Sequence, residues 1–356
     1  MNMKRLIALA VLLACSLQLG AKTPELKFGP DGQFKILQLS DLHLRQVGMR
    51  EETDKVFARI DFLVGLEKPD LIVITGDLVY EKPCTPGITR LVSTLDGYGI
   101  PWCVVYGNHD AEQDLSRPAM SALYASGKWS LDQLDGDGEL ADVELPVMSS
   151  KGDGTAPWYV YCMDSNDYST IEGVSGYGWF TPAQVQWMRD CCAARTSGKG
   201  EVSPSLAFFH IPLCEYVDAW SPQENPRKGM ANSKVGVGIR GENIACGALN
   251  TGMFAAMCEG RSVVGTFAGH DHDSDFVTAY QGISLCYGRF TGCNSVYNNL
   301  LPGGRVILVR EGERTFETWE RDEDGRCLNH VRFNGKDIDK QPGKPKGTPY
   351  GTKTEF

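Results

Sequence analysis

The chain has 356 residues, enough for one large domain or two small ones. It carries 35 Lys and Arg against 45 Asp and Glu. The resulting net charge of −10 argues against a nucleic-acid-binding surface, which would need a basic stripe along the phosphates. Because 42% of the residues are apolar and 10% are aromatic, the chain can bury a sizeable core, and wholesale disorder is excluded.

The first 21 residues have the pattern of a secretory signal peptide. Lys4 and Arg5 form a short positive region, an apolar run follows over residues 6–13, and a weaker stretch ends at Ala21. The run is too short for a comfortable membrane span, and no other apolar run approaches the roughly 20 residues that a span needs. We therefore expect residues 1–21 to be removed, the protein to be exported to the periplasm or secreted, and no transmembrane helix to be present.

A lipid anchor is the alternative interpretation of the same segment. The run Leu12-Leu13-Ala14-Cys15 resembles a lipoprotein processing box, which would leave Cys15 as a lipid-bearing N-terminus. Leu13 is an unusual residue just before the small one, so simple cleavage near Ala21 is favoured.

Five segments share one pattern, an apolar run of strand length that ends abruptly in polar residues. They cover residues 34–39, 71–75, 101–106, 206–209 and 263–268. Near-continuous apolar runs are typical of strands buried on both faces. Polar residues at the ends of such strands predict a functional site at one edge of a buried sheet.

Helical patterns lie between these strands, and the alternation predicts an α/β fold. Helices are expected at residues 56–66, after Thr181-Pro182 and over residues 248–258, and further strands at residues 306–309 and 315–319. The polar segment 220–243 is expected to be a long loop near the site. Residues 335–356 are rich in Gly, Pro and Lys and are predicted to form a flexible C-terminal tail.

The histidines gather at the predicted strand ends. Five of the six lie there: His43, His109, His210, His270 and His272. A buried structural histidine would explain any one of these positions, but packing does not explain five at one edge. Asp41, Asp77 and Asn108 lie at the same edge. Together these nitrogen and oxygen donors suit iron, manganese or zinc.

Short spacings support this interpretation. In an extended segment, residues two apart point the same way, so Asp41 with His43, and His270 with His272, are each expected to aim two ligands at one point. Gly76 would allow the backbone to turn tightly out of its strand before Asp77.

The set of motifs resembles the calcineurin-like metallophosphoesterases. The pieces stand in order as DLH (41–43), GD (76–77), GNHD (107–110), His210 and GHDH (269–272). More narrowly, FKILQLSDLHL, FFHIPLCEY, and GHDHDSDF followed by GISLCYGRF are similar to the purple-acid-phosphatase-related branch of plants and fungi. The resemblance implies a four-layer α/β/β/α sandwich with a single catalytic domain over residues 26–334.

The resemblance also implies a role for each site residue. One metal would take Asp41, His43, Asp77 and His272, and the other would take Asp77, Asn108, His210 and His270, with Asp77 as the bridging carboxylate. Two metals so placed would hold a hydroxide that attacks phosphorus. His109 would stabilise the developing charge or protonate the leaving oxygen, and Asp110 would orient His109.

One departure concerns Tyr80. The run from Gly76 to Tyr80 matches the GDxxY pattern whose tyrosinate binds ferric iron in true purple acid phosphatases, but those enzymes lack a histidine at the position of His43. Tyr80 and His43 cannot readily both occupy the same coordination position of one metal ion. His43 is favoured as the ligand, with Tyr80 as a packed aromatic residue.

The substrate is expected to be a small phosphorylated molecule, with phosphomonoesters favoured by the branch that the chain resembles. The alternative is a phosphodiesterase acting on nucleotides or lipid head groups, since function depends on the pocket rather than the fold. A more remote alternative is a non-catalytic, metal-binding surface protein.

Overall fold

The computed structural model describes residues 24–196, 200–220, 236–292 and 299–341. The predicted signal peptide with Cys15 lies outside these residues, as does most of the segment 220–243. Within the described ranges, no helix is both long and apolar enough to cross a membrane.

Fourteen strands and six helices make up the described part of the chain. The strands are β1 Leu26–Lys27, β2 Gln33–Leu39, β3 Leu71–Thr75, β4 Trp102–Val105, β5 Val143–Met148, β6 Trp158–Cys162, β7 Ser205–Phe208, β8 Val263–Ala268, β9 Val277–Tyr280, β10 Ile283–Tyr287, β11 Gly303–Arg310, β12 Phe316–Asp322, β13 Cys327–Phe333 and β14 Ile338–Lys340. The helices are α1 Arg50–Glu67, α2 Thr85–Gly97, α3 Arg117–Ala125, α4 Pro182–Ala194, α5 Glu215–Trp220 and α6 Met253–Gly260. A 3-10 turn covers Asn108–Glu112.

The strands form two seven-stranded sheets. Sheet A has the order β1-β5-β6-β7-β8-β10-β9, and sheet B has the order β14-β13-β12-β11-β2-β3-β4. One hydrophobic cluster fills the space between the sheets and includes Phe34, Phe208 and Phe316. A second cluster joins sheet B to α1, α2 and α3, and a third joins sheet A to α4, α5 and α6. The expected four-layer α/β/β/α sandwich, built as a single domain, is confirmed.

The strands that precede the sequence motifs run parallel within each sheet. In sheet B, β3 is parallel to both β2 and β4, and in sheet A, β8 is parallel to β7. The carboxyl ends of parallel strands meet at one edge. The topology therefore brings the residues after β2, β3, β4, β7 and β8 to the same end of the sandwich.

Helix boundaries follow local sequence signals where these are strong. Helix α4 begins as predicted: the Thr181 hydroxyl accepts a hydrogen bond from the Gln184 N–H at 3.2 Å, and Gln184 Oε1 accepts one from the Thr181 N–H at 2.9 Å. Helix α6 begins at Met253 rather than at residue 248. The reason is that Gly252 has a left-handed backbone (φ 94°) just before it.

The sheet extends past the predicted end of the domain. Ile338–Lys340 form β14, which pairs antiparallel with β13 and buries Ile338. The start of the predicted tail at residue 335 is therefore set too early, because one apolar residue among Gly, Asp and Lys leaves little pattern to find. Residues 342–356 lie outside the described part of the chain.

Candidate metal centre

Asp41 and His43 reach the site through a turn that follows β2. Both have left-handed backbone angles, with φ of 53° and 46°. The N–H of Asp41 donates to the Gly76 carbonyl at 3.1 Å, and that of His43 donates to the Asp77 carbonyl at 2.9 Å. The two side chains converge as predicted, but the expected extended geometry is wrong. Non-glycine residues in this region are uncommon and cluster at functional sites.

Asp77 lies between the two halves of the centre. It follows β3 through Gly76, and it too is left-handed (φ 53°). Its Oδ2 atom is 3.2 Å from His43 Nε2 and 3.4 Å from His210 Nε2. The carboxylate is thus within reach of imidazoles from both sheets.

The candidate ligands form two clusters that share this carboxylate. The first contains Asp41, His43, Asp77 and His272, and the second contains Asp77, His210 and His270; in each cluster the potential ligand atoms lie within 4.8 Å of one another. These are the groupings that the family resemblance implies.

Asn108 completes the second cluster at the start of the 3-10 turn. Its Oδ1 atom lies 3.2 Å from His210 Nε2, and the ring of His210 is in turn 3.2 Å from the Nδ1 atom of His270. The opposite nitrogen of His210, Nδ1, lies 2.8 Å from the Thr75 carbonyl oxygen and donates to it. This bond directs His210 Nε2 into the site, as second partners of metal-binding histidines do.

Some buried nitrogen atoms of the clusters make no hydrogen bond. Within the described part of the chain these include the Nε2 atoms of His270 and His43, although His43 Nε2 lies 3.2 Å from Asp77 Oδ2. An unsatisfied buried polar atom is costly unless something else occupies its lone pair. A metal ion would supply that partner, so the residues present fit the ions that the motifs imply.

The electrostatics show how strongly these groups interact. Burial opposes ionisation of Asp41, but the hydrogen bond and charge of His272 outweigh it and lower the pKa of Asp41 to about 2. Burial likewise opposes protonation of His210, yet Asp77 raises its pKa to about 10. Burial and the neighbouring His210 lower the pKa of His270 to about 3. The ligand side chains are buried, and their carboxylates favour positively charged partners.

The expected partnership of His109 and Asp110 is wrong. The buried Asp110 carboxylate accepts hydrogen bonds from the N–H groups of Gly107 at 2.8 Å and Leu78 at 2.9 Å, so it ties the loops after β3 and β4 together. The Nδ1 atom of His109 instead lies 2.9 Å from Glu112 Oε2. The side chain of Asp110 points towards the Gly107 and Leu78 N–H groups because these buried donors need an acceptor, which Asp110 supplies. Only the spacing of 109 and 112, on one side of a 3-10 turn, could have signalled Glu112.

Two tyrosines that the motifs do not contain border the second cluster. Tyr177 packs edge-on against His270, with ring centroids 4.4 Å apart, and Tyr168 stacks on Tyr177 at 5.8 Å. Both lie in the segment between β6 and α4, which carries no metal-binding signature. They form an aromatic wall beside His270.

The comparisons with known proteins agree with this geometry. The family model described as "Calcineurin-like phosphoesterase" matches residues 34–274, more than half of the chain. The chain belongs to the calcineurin-like phosphoesterase family.

The chain is similar to two curated relatives in sequence and to one solved structure in fold. The chain is 29% identical to "Probable inactive purple acid phosphatase 28" of Arabidopsis thaliana, over 84% of this chain and 83% of that one. It is 27% identical to "Phosphatase DCR2" of Saccharomyces cerevisiae, over 82% of this chain and 54% of that one. A dimetal phosphatase from Danio rerio shares the fold with a TM-score of 0.56 at 15% identity, covering 85% of this chain and 99% of that one.

Within this family pattern, Tyr80 packs beside His43 and His109. Its ring centroid is 5.6 Å from that of His43 and 4.8 Å from that of His109, and the Arg45 guanidinium lies 4.8 Å from the Tyr80 centroid. His43 has its ring nitrogen beside Asp77, whereas Tyr80 packs against rings and a cation. This arrangement favours His43 as the ligand.

Proposed function

We propose that the protein is an exported, dinuclear-metal phosphoesterase that hydrolyses phosphomonoesters. One observation carries the proposal: two buried Asp/His clusters share the Asp77 carboxylate, and a more exposed histidine, His109, lies at their margin. Shared carboxylates between two oxygen- and nitrogen-rich sites are typical of two-metal hydrolytic centres.

The donor set would hold two ions. Asp41, His43, Asp77 and His272 would hold one, and Asp77, Asn108, His210 and His270 would hold the other. Imidazole, carboxylate and amide donors suit manganese, iron or zinc. When bound, such a pair lowers the pKa of water and offsets the negative charge of a phosphoryl group.

The residues around the clusters support the chemistry at the leaving group. The His109 side chain is 30% exposed, and its ring centroid is 5.5 Å from that of His43. It can therefore meet a substrate beside the ligands and donate a proton to the leaving oxygen. Asp110, through its bonds to Gly107 and Leu78, keeps the loops of Asp77 and Asn108 in register.

A non-catalytic metal-binding protein is the second candidate. The word "inactive" in the name of the Arabidopsis relative favours it, whereas the name of the yeast relative favours a phosphatase. Metal binding alone would not require His109 at the margin of the site. Metal content without hydrolysis of any activated ester would decide for the second candidate.

Export is part of the proposal, supported by the pattern of residues 1–21. Mass spectrometry of the mature N-terminus would test it. A chain that starts close to residue 22 would support simple cleavage, and a lipid on Cys15 would support the alternative anchor. An N-terminus that still contains Lys4 and Arg5 would contradict export.

The activity test compares a monoester with a diester. The chain without residues 1–21, loaded with manganese, iron or zinc, is given p-nitrophenyl phosphate and bis-p-nitrophenyl phosphate, with Asp77→Asn as the blank. Faster metal-dependent release from the monoester is expected, with most of it lost in the variant. Faster release from the diester would move the proposal to a phosphodiesterase of nucleotides or lipid head groups. Asp77→Asn with wild-type turnover would contradict the dinuclear proposal.

A further inference from the structure

Glu112 connects the candidate proton donor to a tyrosine of the segment between β6 and α4. Its Oε2 atom lies 2.9 Å from His109 Nδ1, and its Oε1 atom accepts a hydrogen bond from the Tyr168 hydroxyl at 2.8 Å. The two oxygens of one carboxylate therefore serve two different partners. A bare ion pair with side chains 30% and 38% exposed would contribute little on its own.

Tyr168 also holds the amide of Asn108. The Asn108 Nδ2 atom donates to the Tyr168 hydroxyl at 3.0 Å, while Asn108 Oδ1 faces His210 Nε2 at 3.2 Å. A phenol hydroxyl accepts one hydrogen bond and donates one, and here both are used. Because the amide nitrogen is engaged, the amide oxygen, which is the metal-ligating atom of this side chain, points into the second cluster.

We propose that Glu112 and Tyr168 are positioning residues, and that one hydroxyl sets both the metal-facing oxygen of Asn108 and, through Glu112, the ring of His109. The proposal rests on the proposed function for His109, but its Asn108 half concerns metal binding alone. It assigns to Glu112 the role that the sequence motif suggested for Asp110.

Proton donation to the leaving oxygen requires His109 to present one particular ring nitrogen to the substrate. As a water-derived hydroxide forms its bond to phosphorus, the bond between phosphorus and the leaving oxygen breaks. The electron pair stays on the leaving oxygen, and the proton on His109 Nε2 moves to it, which releases the alcohol and inorganic phosphate. His109 regains a proton from water before the next turnover. A ring held at Nδ1 by Glu112 keeps Nε2 as the nitrogen available to the substrate.

Leaving-group dependence tests the His109 half. A poorly placed proton donor matters little for p-nitrophenolate, a good leaving group, and greatly for an alcohol. For Glu112→Gln and Tyr168→Phe we expect hydrolysis of an alkyl phosphate to fall about 100-fold, against only about 3-fold for p-nitrophenyl phosphate, with the loss in kcat. Glu172→Gln removes an exposed carboxylate from the same segment and should match wild type. An equal loss on both substrates would overturn this half.

Metal affinity tests the Asn108 half. Tyr168→Phe should weaken binding of the second manganese ion about 10-fold, as loss of an outer-shell partner does, while Glu112→Gln leaves it unchanged. Tyr98→Phe removes a hydroxyl that binds Asp61 on the far side of the sheet, and serves as the matched control. Wild-type affinity in Tyr168→Phe would overturn this half. If the wild type hydrolysed no ester, both the proposed function and the His109 half would be wrong. The measured manganese affinity of Tyr168→Phe would still decide whether Tyr168 positions Asn108.

Discussion

Gly76 and His210 are packed so closely that a Cβ atom on Gly76 would overlap the His210 ring, and it would also lie 2.8 Å from the Gly107 Cα. Gly76 additionally has a left-handed backbone (φ 79°). We expect Gly76→Ala to displace His210 and to lose at least the second metal ion, with most of the hydrolysis. Metal content and turnover of the purified variant measure this.

Gly282→Ala is a control that separates the effect of backbone strain from the overlap between a Gly76 Cβ atom and the His210 ring. Gly282 has a similar φ of 83°, but nothing lies within 4 Å of a Cβ atom placed there. Both variants should lose roughly 1–2 kcal/mol of stability from the left-handed backbone, while only Gly76→Ala loses metal. Equal metal content in the two variants would show that the approach of Gly76 to His210 is unimportant.

Removal of His43 should distinguish it from Tyr80 as a ligand. Because His43 Nε2 faces Asp77 and Tyr80 packs beside the rings, His43→Ala should lose the first metal ion and Tyr80→Phe should keep both. Metal analysis and the visible spectrum of the iron-loaded protein provide the measurement. A purple band that disappears in Tyr80→Phe would reverse the assignment.

Metal removal should destabilise the fold. Any ion that binds only the folded chain stabilises it, by about 2.7 kcal/mol per site at a free concentration 100 times its Kd. Chelation should therefore lower Tm by several degrees in wild type and by much less in Asp77→Asn. A Tm that is the same with and without chelator would mean that the buried carboxylates and imidazoles need no ion.

A pH effect is expected away from the site. The hydrogen bond between Glu317 and His330, with the charge of Arg310, lowers the pKa of Glu317 to about 2, against burial. A lowered carboxyl pKa stabilises the fold above its ordinary value of 4.5, and this contribution disappears as the pH falls from about 4.5 to about 2. After discounting for partial exposure, Glu317→Gln should cost about 1 kcal/mol at pH 7 and almost nothing near pH 2. Urea unfolding at both pH values checks this, and an equal cost at each would contradict it.

The strands and ligand candidates were predictable because they lie in continuous, strongly patterned runs. Strand β3 was predicted at its observed bounds, residues 71–75, since five buried apolar residues end abruptly at Gly76. The positions of His210 and His270 directly after such runs likewise mark them as ligand candidates.

Residues that act through contacts distant in sequence could not be found in this way. Tyr168 meets Asn108 and Glu112 only because the segment after β6 packs against the 3-10 turn that follows β4, a contact across 56 to 60 residues. Asp110 occupies a motif position, but the orientation of its side chain depends on which backbone N–H groups need an acceptor once the loops after β3 and β4 have folded. Such choices are made by packing, and sequence spacing does not record them.

Metal stoichiometry of the purified chain, beside Asp77→Asn, tests the shared-carboxylate account most directly. Both proteins would be loaded with manganese, dialysed against metal-free buffer and analysed for metal per chain. We predict two retained ions in the wild type and a marked loss at both sites in the variant, because the Asp77 carboxylate faces His43 and His210 together. Two tightly held ions in Asp77→Asn, or none in the wild type, would contradict the account.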